Sequence, residues 1–72
     1  LAEATYGYVS QGAVDIDYTF VSPVLRGQGV AGQLMEALVL ELRAKGLKAT
    51  ASCSYADSWL EKNRDRVGDI IA

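Results

Sequence analysis

From Ala13 to Val21 the chain alternates. Val14, Ile16, Tyr18 and Phe20 fall on one face of an extended segment, and Asp15, Asp17 and Thr19 on the other. That period of two predicts a half-buried strand. Thr5 to Val9 makes a shorter extended stretch with Tyr6 and Tyr8 on one side. Ser10-Gln11-Gly12 stands between the two as a turn signal, Gly12 offering a positive φ. An antiparallel hairpin is expected. Pro23 closes its second strand, because proline has no amide proton to give to a ladder.

The period then lengthens to that of a helix, predicted over Val30 to Lys45. Val30, Ala31, Leu34, Met35, Ala37, Leu38 and Leu42 share one arc, with Gln33, Glu36 and Arg43 opposite. Val39 and Leu40 flank the polar side, which makes them the surface candidates for a homodimer. Gly46 is placed to cap the helix, with Arg43 and Lys45 at its negative end. Leu47 to Ser52 predicts a short strand, Tyr55 to Asn63 a second helix, and Val67 to Ile71 an apolar strand or helical turn that packs back. A strand–helix–strand crossover should be parallel. The expected fold is therefore α/β, a mixed sheet joining an antiparallel hairpin to a parallel β-α-β crossover, with helices packed on it. One domain is expected over residues 1–72.

Composition narrows the chemistry. The chain has 72 residues and a net charge of −2, with no basic stripe, so no nucleic-acid partner is expected. No apolar run approaches the length of a membrane span, so no membrane partner is expected either. There is no histidine, which removes imidazole bases and histidine–metal sites together. The single cysteine, Cys53, excludes an intrachain disulfide and multi-cysteine zinc motifs, and no metal site is expected. A lone thiol and the lack of a visible targeting segment predict a cytoplasmic protein. A chain this short has a narrow stability margin, to which a second subunit or a ligand would add.

The stretch Arg26-Gly27-Gln28-Gly29-Val30-Ala31-Gly32 opens the long helix. Glycines let backbone amides converge on one concavity, and the helix terminus adds roughly half a positive charge, which suits a pyrophosphate. Gly27, Gly29 and Gly32 satisfy the letters of the dinucleotide fingerprint, but Ser22 to Arg26 intervene after the strand and no acid ends the next one.

The longer stretch Val21-Ser22-Pro23-Val24-Leu25-Arg26-Gly27-Gln28-Gly29-Val30-Ala31 resembles the coenzyme A signature of the GNAT acetyltransferase superfamily, in its short single-domain branch. Arg26, Gly29 and Ala31 fill that signature's defined positions. The resemblance extends over roughly Ala2 to Ile71 and implies a further strand ahead of Leu1. It implies an N-acetyltransferase that moves an acetyl group from acetyl-CoA to a small-molecule or peptide amine. The backbone of Phe20 and Val21 would bond the pantetheine arm. The amides of Arg26, Gly27, Gln28, Gly29, Val30 and Ala31 would hold the pyrophosphate, and Gly32 would allow its close approach.

For the chemistry, Tyr55 is the candidate proton donor to the leaving thiolate, or else a half-buried packing tyrosine. The family's usual tyrosine position reads Ser58-Trp59-Leu60 here, and Trp59 reads as packing. Cys53, before a helix start, is the candidate nucleophile or else a small buried side chain. Asp15 and Asp17 are candidates for binding a cationic acceptor or serving as bases, or else are solvated strand carboxylates. Two other readings stay open: a coenzyme A-binding module without turnover, and a small interaction domain whose glycines only shape a turn.

Overall fold

The computed structural model describes residues 2–25, 27 and 29–72. Two strands, β1 (Ala2–Ser10) and β2 (Ala13–Val21), form the hairpin. A 3-10 turn at Pro23–Leu25 leads into α1 (Val30–Lys45). Then come β3 (Lys48–Ala51), α2 (Ser54–Lys62), a single turn α3 (Arg64–Val67) and a second 3-10 turn at Gly68–Ile70. The sheet order is β1-β2-β3, with β1 antiparallel and β3 parallel to β2. The apolar tail is helical turns, and Ile71 adds one isolated parallel bridge to Ala49.

The helices cover one face of the sheet. Val14 and Ile16 of β2, Ala49 of β3, Met35, Leu38, Val39 and Leu42 of α1, Ala56 and Leu60 of α2 and Val67 and Ile70 of the tail make one buried cluster with Leu47. Each large side chain so buried stabilises the fold by roughly 1.5–3 kcal/mol. Gly46, at φ 70°, ends α1: its amide bonds to Arg43 O, and the Leu47 amide to Leu42 O. That pair of bonds is a Schellman motif. No helix among the described residues is long and apolar enough to cross a membrane.

Two departures from simple periodicity matter. The first is a bulge in β2. Thr5 pairs with Tyr18 and Tyr6 with Ile16, so Asp17 has no partner of its own. An inserted residue reverses the alternation beyond it. Tyr18 and Phe20 do not share the face of Val14 and Ile16, as the alternation predicts. Thr19 and Val21, opposite Ala4 and Ala2, take the helix side instead.

The second is Val39, which is 2 % exposed, whereas Leu40 is 63 % exposed. The tail folds back over Val39 and is pinned to α1 from outside: Arg43 donates to both carboxylate oxygens of Asp69 (2.7 and 2.8 Å), and Arg66 pairs with Glu36 at 3.1 Å. Such exposed pairs contribute about 0–1 kcal/mol each, so they orient the tail while Val67 and Ile70 hold it down. Of the two dimer candidates, only Leu40 lies at the surface.

Candidate active site

The parallel pairing of β2 with β3 runs only from Ala13 to Ile16 against Lys48 to Ala51. Ile16 O then accepts from the amides of both Ser52 (3.1 Å) and Cys53 (3.2 Å), and the chain turns away into α2. β2 continues for five more residues without β3 beside it. The sheet is thus split at the edge where α1 and α2 begin.

A cavity of about 290 Å³ lies in that split, lined by Thr19, Val21, Ala31, Leu34 and Tyr55. The bulge at Asp17 is what brings Thr19 and Val21 into it. The same split explains α1. Met35, Leu38 and Leu42 are buried, whereas Val30, Ala31 and Leu34 are only half-buried; Ala37 faces outward beside Leu40 instead. The first turns of the helix overlie the opening, so their apolar face has no strand beneath it.

At the upper end of the cavity α1 starts at Gly29, in the left-handed region at φ 75°, with Gly27 likewise at φ 84°. These two positions require glycine, because other side chains are strained there. Gly29 gives no side-chain cap, and the first turn of α1 carries no acidic residue. Its amides at Val30, Ala31 and Gly32 have no intrahelical acceptor and point toward a positive helix terminus. That is the donor set an anion requires. Arg26 and Gln28, expected to join it, lie outside the described residues. Gly32 is helical, and a Cβ there would meet Trp59 Nε1 at 3.9 Å, an ordinary contact.

Cys53 sits at the N-cap of α2, without a side-chain cap bond. Its Sγ lies 3.3 Å from Thr19 Oγ1. The Thr19 hydroxyl, and after it the Ala56 amide, lower the thiol's pKa from its ordinary value, against the effect of burial. Thr19 and Tyr55 line the cavity, and Cys53 adjoins it through its contact with Thr19. Thr19 is the residue that sequence reasoning missed. A one-residue bulge leaves no mark on an alternating pattern.

Asp15 and Asp17 are not brought there. Both project from the opposite face of the sheet. Asp15 accepts from Thr50 Oγ1 (2.9 Å) and Ser52 Oγ (2.5 Å), and Asp17 from Thr5 Oγ1 (2.6 Å). The Ser52 and then the Thr50 hydroxyl hold Asp15 below its usual pKa. These carboxylates tie β1, β2 and β3 together across the outer face. Phe20, opposite Glu3, has its side chain on that face too and does not line the cavity.

Known proteins share this sequence pattern and this fold. The family model of the GCN5-related N-acetyltransferases matches residues 1–70. The solution structure of a GCN5-like protein from Staphylococcus aureus superposes with a TM-score of 0.84 at 43% identity, covering 100% of this chain and 70% of that one. NATD1 proteins of Xenopus tropicalis and Homo sapiens are each 33% identical over 58 residues, 81% of this chain. The chain spans about half the length of these curated relatives, 53% and 51%. With the matched model running through hairpin, glycine loop, α1, β3 and α2 alike, the chain belongs to the GCN5-related N-acetyltransferase family.

Proposed function

We propose that this chain forms the coenzyme site and reaction centre of an N-acetyltransferase that moves the acetyl group of acetyl-CoA to a small-molecule or peptide amine. The observation that carries this is the split between β2 and β3, opening directly beneath the amides of the first turn of α1. An extended amide-bearing arm fits along a strand edge that has lost its neighbour, and its phosphates fit the glycine-capped helix terminus. The amides of Gly27, Gly29, Val30 and Ala31 would hold the pyrophosphate, as would those of Arg26 and Gln28, and Gly32 would permit its close approach. The backbone of Phe20 and Val21 would take the pantetheine arm.

When bound, acetyl-CoA supplies an activated thioester. The Val21 amide is the candidate donor to its carbonyl oxygen, where charge builds during transfer. The Tyr55 hydroxyl is the candidate proton source for the departing thiolate. Val21, Ala31 and Leu34 exclude water from that end of the cavity. Direct transfer to the amine is the favoured route.

A second route has an observation of its own: the Thr19 contact that favours the Cys53 thiolate. Cys53 Sγ would displace coenzyme A thiolate from the acetyl carbon and pass the acetyl group to the amine. The lone thiol fits a reducing, cytoplasmic setting.

Calorimetric titration with acetyl-CoA, followed by thiol release across a panel of amines, tests the function. Mass spectrometry separates the routes: an acetyl group on the Cys53 peptide, absent from Cys53→Ser, supports the second. Full turnover of Cys53→Ser with no adduct leaves Cys53 a packing residue.

A further inference from the structure

The cavity in the split lies between two helices, with Ala31 and Leu34 of α1 on one side and Tyr55 of α2 on the other. Its width is therefore the spacing of α1 and α2 at that end. The sheet does not set that spacing, because β3 stops at Ala51 and the first turns of α1 overlie the opening. Nor does the buried core, whose last members toward the opening are Met35 on α1 and Ala56 on α2.

Two contacts do reach across, on the outer side of the helix pair. Trp59 of α2 lies against α1, where a Cβ at Gly32 would stand 3.9 Å from its Nε1. The second contact is Arg66 of α3. Its Nη1 donates to Glu36 Oε1 and Oε2 at 3.3 and 3.1 Å, and its Nη2 to Asn63 Oδ1 at 2.7 Å. The same guanidinium stands 5.9 Å from the centre of the Trp59 ring, within the range of cation–π attraction. Asn63 is fixed in turn, since its Nδ2 donates to Trp59 O at 2.9 Å. Arg66 thus holds Glu36 on α1, and Trp59 and Asn63 at the end of α2. A planar fork of donors serves several partners in fixed directions at once.

This bridge does little for folding. Arg66 and Glu36 are about half exposed, 51% and 47%, and exposed pairs add little stability. Val67 and Ile70 hold the tail down from within the core. The other pin, Arg43 to Asp69, lies at the C-terminal end of α1, away from the cavity.

We infer that Arg66 is a positioning residue of the coenzyme site. By tying Glu36 to Trp59 and Asn63 it fixes the spacing of α1 and α2, and with it the width of the cavity proposed for the pantetheine arm. This rests on the reading of the split as the coenzyme site. Arg66 acts there through the two helices, without touching the ligand.

Arg66→Met keeps a long side chain and removes the bridge. It should weaken coenzyme A about fivefold, the size expected of a residue that acts through others. 4′-Phosphopantetheine, which lacks the nucleoside, should lose affinity by the same factor, because the cavity is what changes. Emission from Trp59, the sole tryptophan, should change in the unliganded protein. Glu36→Gln breaks the α1 end of the same bridge, so adding it to Arg66→Met should cost no more than Arg66→Met alone. Arg43→Gln loosens the tail elsewhere and should bind coenzyme A as the wild type does. Calorimetry on each variant reads the affinities. Arg66 has no positioning role if Arg66→Met leaves coenzyme A affinity or the Trp59 emission unchanged, or if the two losses add. Nor has it one if Arg43→Gln weakens binding equally. Loss of coenzyme A affinity with 4′-phosphopantetheine spared would make Arg66 a direct contact instead, which also overturns the role. In each of these cases the wild type still binds, and the coenzyme reading survives. If the wild type binds no coenzyme A, both fall together.

Discussion

Thr19 of β2 and Cys53 at the start of α2 lie beyond the point where β2 and β3 part, yet their side chains meet, Oγ1 to Sγ, at 3.3 Å. The contact spans the split near the end where the chemistry is proposed. It makes the thiol the most directly testable group there.

Thr19→Val removes the hydroxyl that most lowers the Cys53 pKa. The thiol should then titrate at higher pH, leaving less thiolate at neutrality. Alkylation by iodoacetamide at pH 7 should slow several-fold, with the pH–rate curve displaced upward. An unchanged curve would show that the contact does not set thiol reactivity. Bound coenzyme A should slow alkylation of the wild-type protein, since Cys53 borders the proposed path of the pantetheine arm.

Much of this fold is legible in the residues. The alternation of Val14 and Ile16, the helical arc through Met35 and Leu42, and Gly46 as terminator are each local signals, and each element lies where its signal stands. Thr19 and Val39 were not legible, for different reasons. Thr19 depends on an extra residue in β2, a property of strand pairing rather than of either strand. Val39 depends on Val67 and Ile70 folding back, a contact between distant segments that the periodicity of α1 cannot contain. Asp15 and Asp17 show the converse: an acidic pair on the polar face of a strand invites a substrate-binding or catalytic reading, but Thr50, Ser52 and Thr5 occupy them.

The tail's placement gives a sharp contrast between neighbours. Val39→Asp buries a carboxylate without a partner and should destabilise the protein by several kcal/mol, or prevent folding. Leu40→Asp, one residue on, should stay within about 0.5 kcal/mol of wild type. Chemical denaturation measures both, and similar losses at the two sites would contradict the burial of Val39 beneath the tail.

Gly32→Ala separates packing from binding. Its Cβ meets only Trp59 Nε1, at 3.9 Å, and alanine is the better helix former by about 0.8–1.0 kcal/mol. The melting temperature should rise, while affinity for coenzyme A should fall, because the methyl narrows the approach to the amides. A rise in both would mean that no ligand passes over Gly32.

Acid should weaken the fold in a defined window. Asp15, Glu41, Glu61 and Asp69 all have lowered pKa values, held down first by Ser52, Tyr6, Arg64 and Arg43 respectively. In the unfolded chain these groups return to about 4. Near and below that pH the unfolded state binds more protons, so stability present at neutrality is lost as pH falls through the folded values. Melting temperature should be flat from about pH 7 to 5 and decline below about 4. Arg43→Gln should make the decline shallower by freeing Asp69, and an identical slope would show that this pair contributes nothing.

The first turn of α1 and the split below it are proposed to be one coenzyme site. Titrating coenzyme A into isotope-labelled protein and following each backbone amide tests that most directly. The largest shifts should fall on Gly27, Gly29, Val30, Ala31 and Gly32, and extend to Thr19 and Val21, while Asp15, Thr50 and Ser52 on the outer face stay still. No saturable shift, or shifts confined to the outer face, would contradict the account.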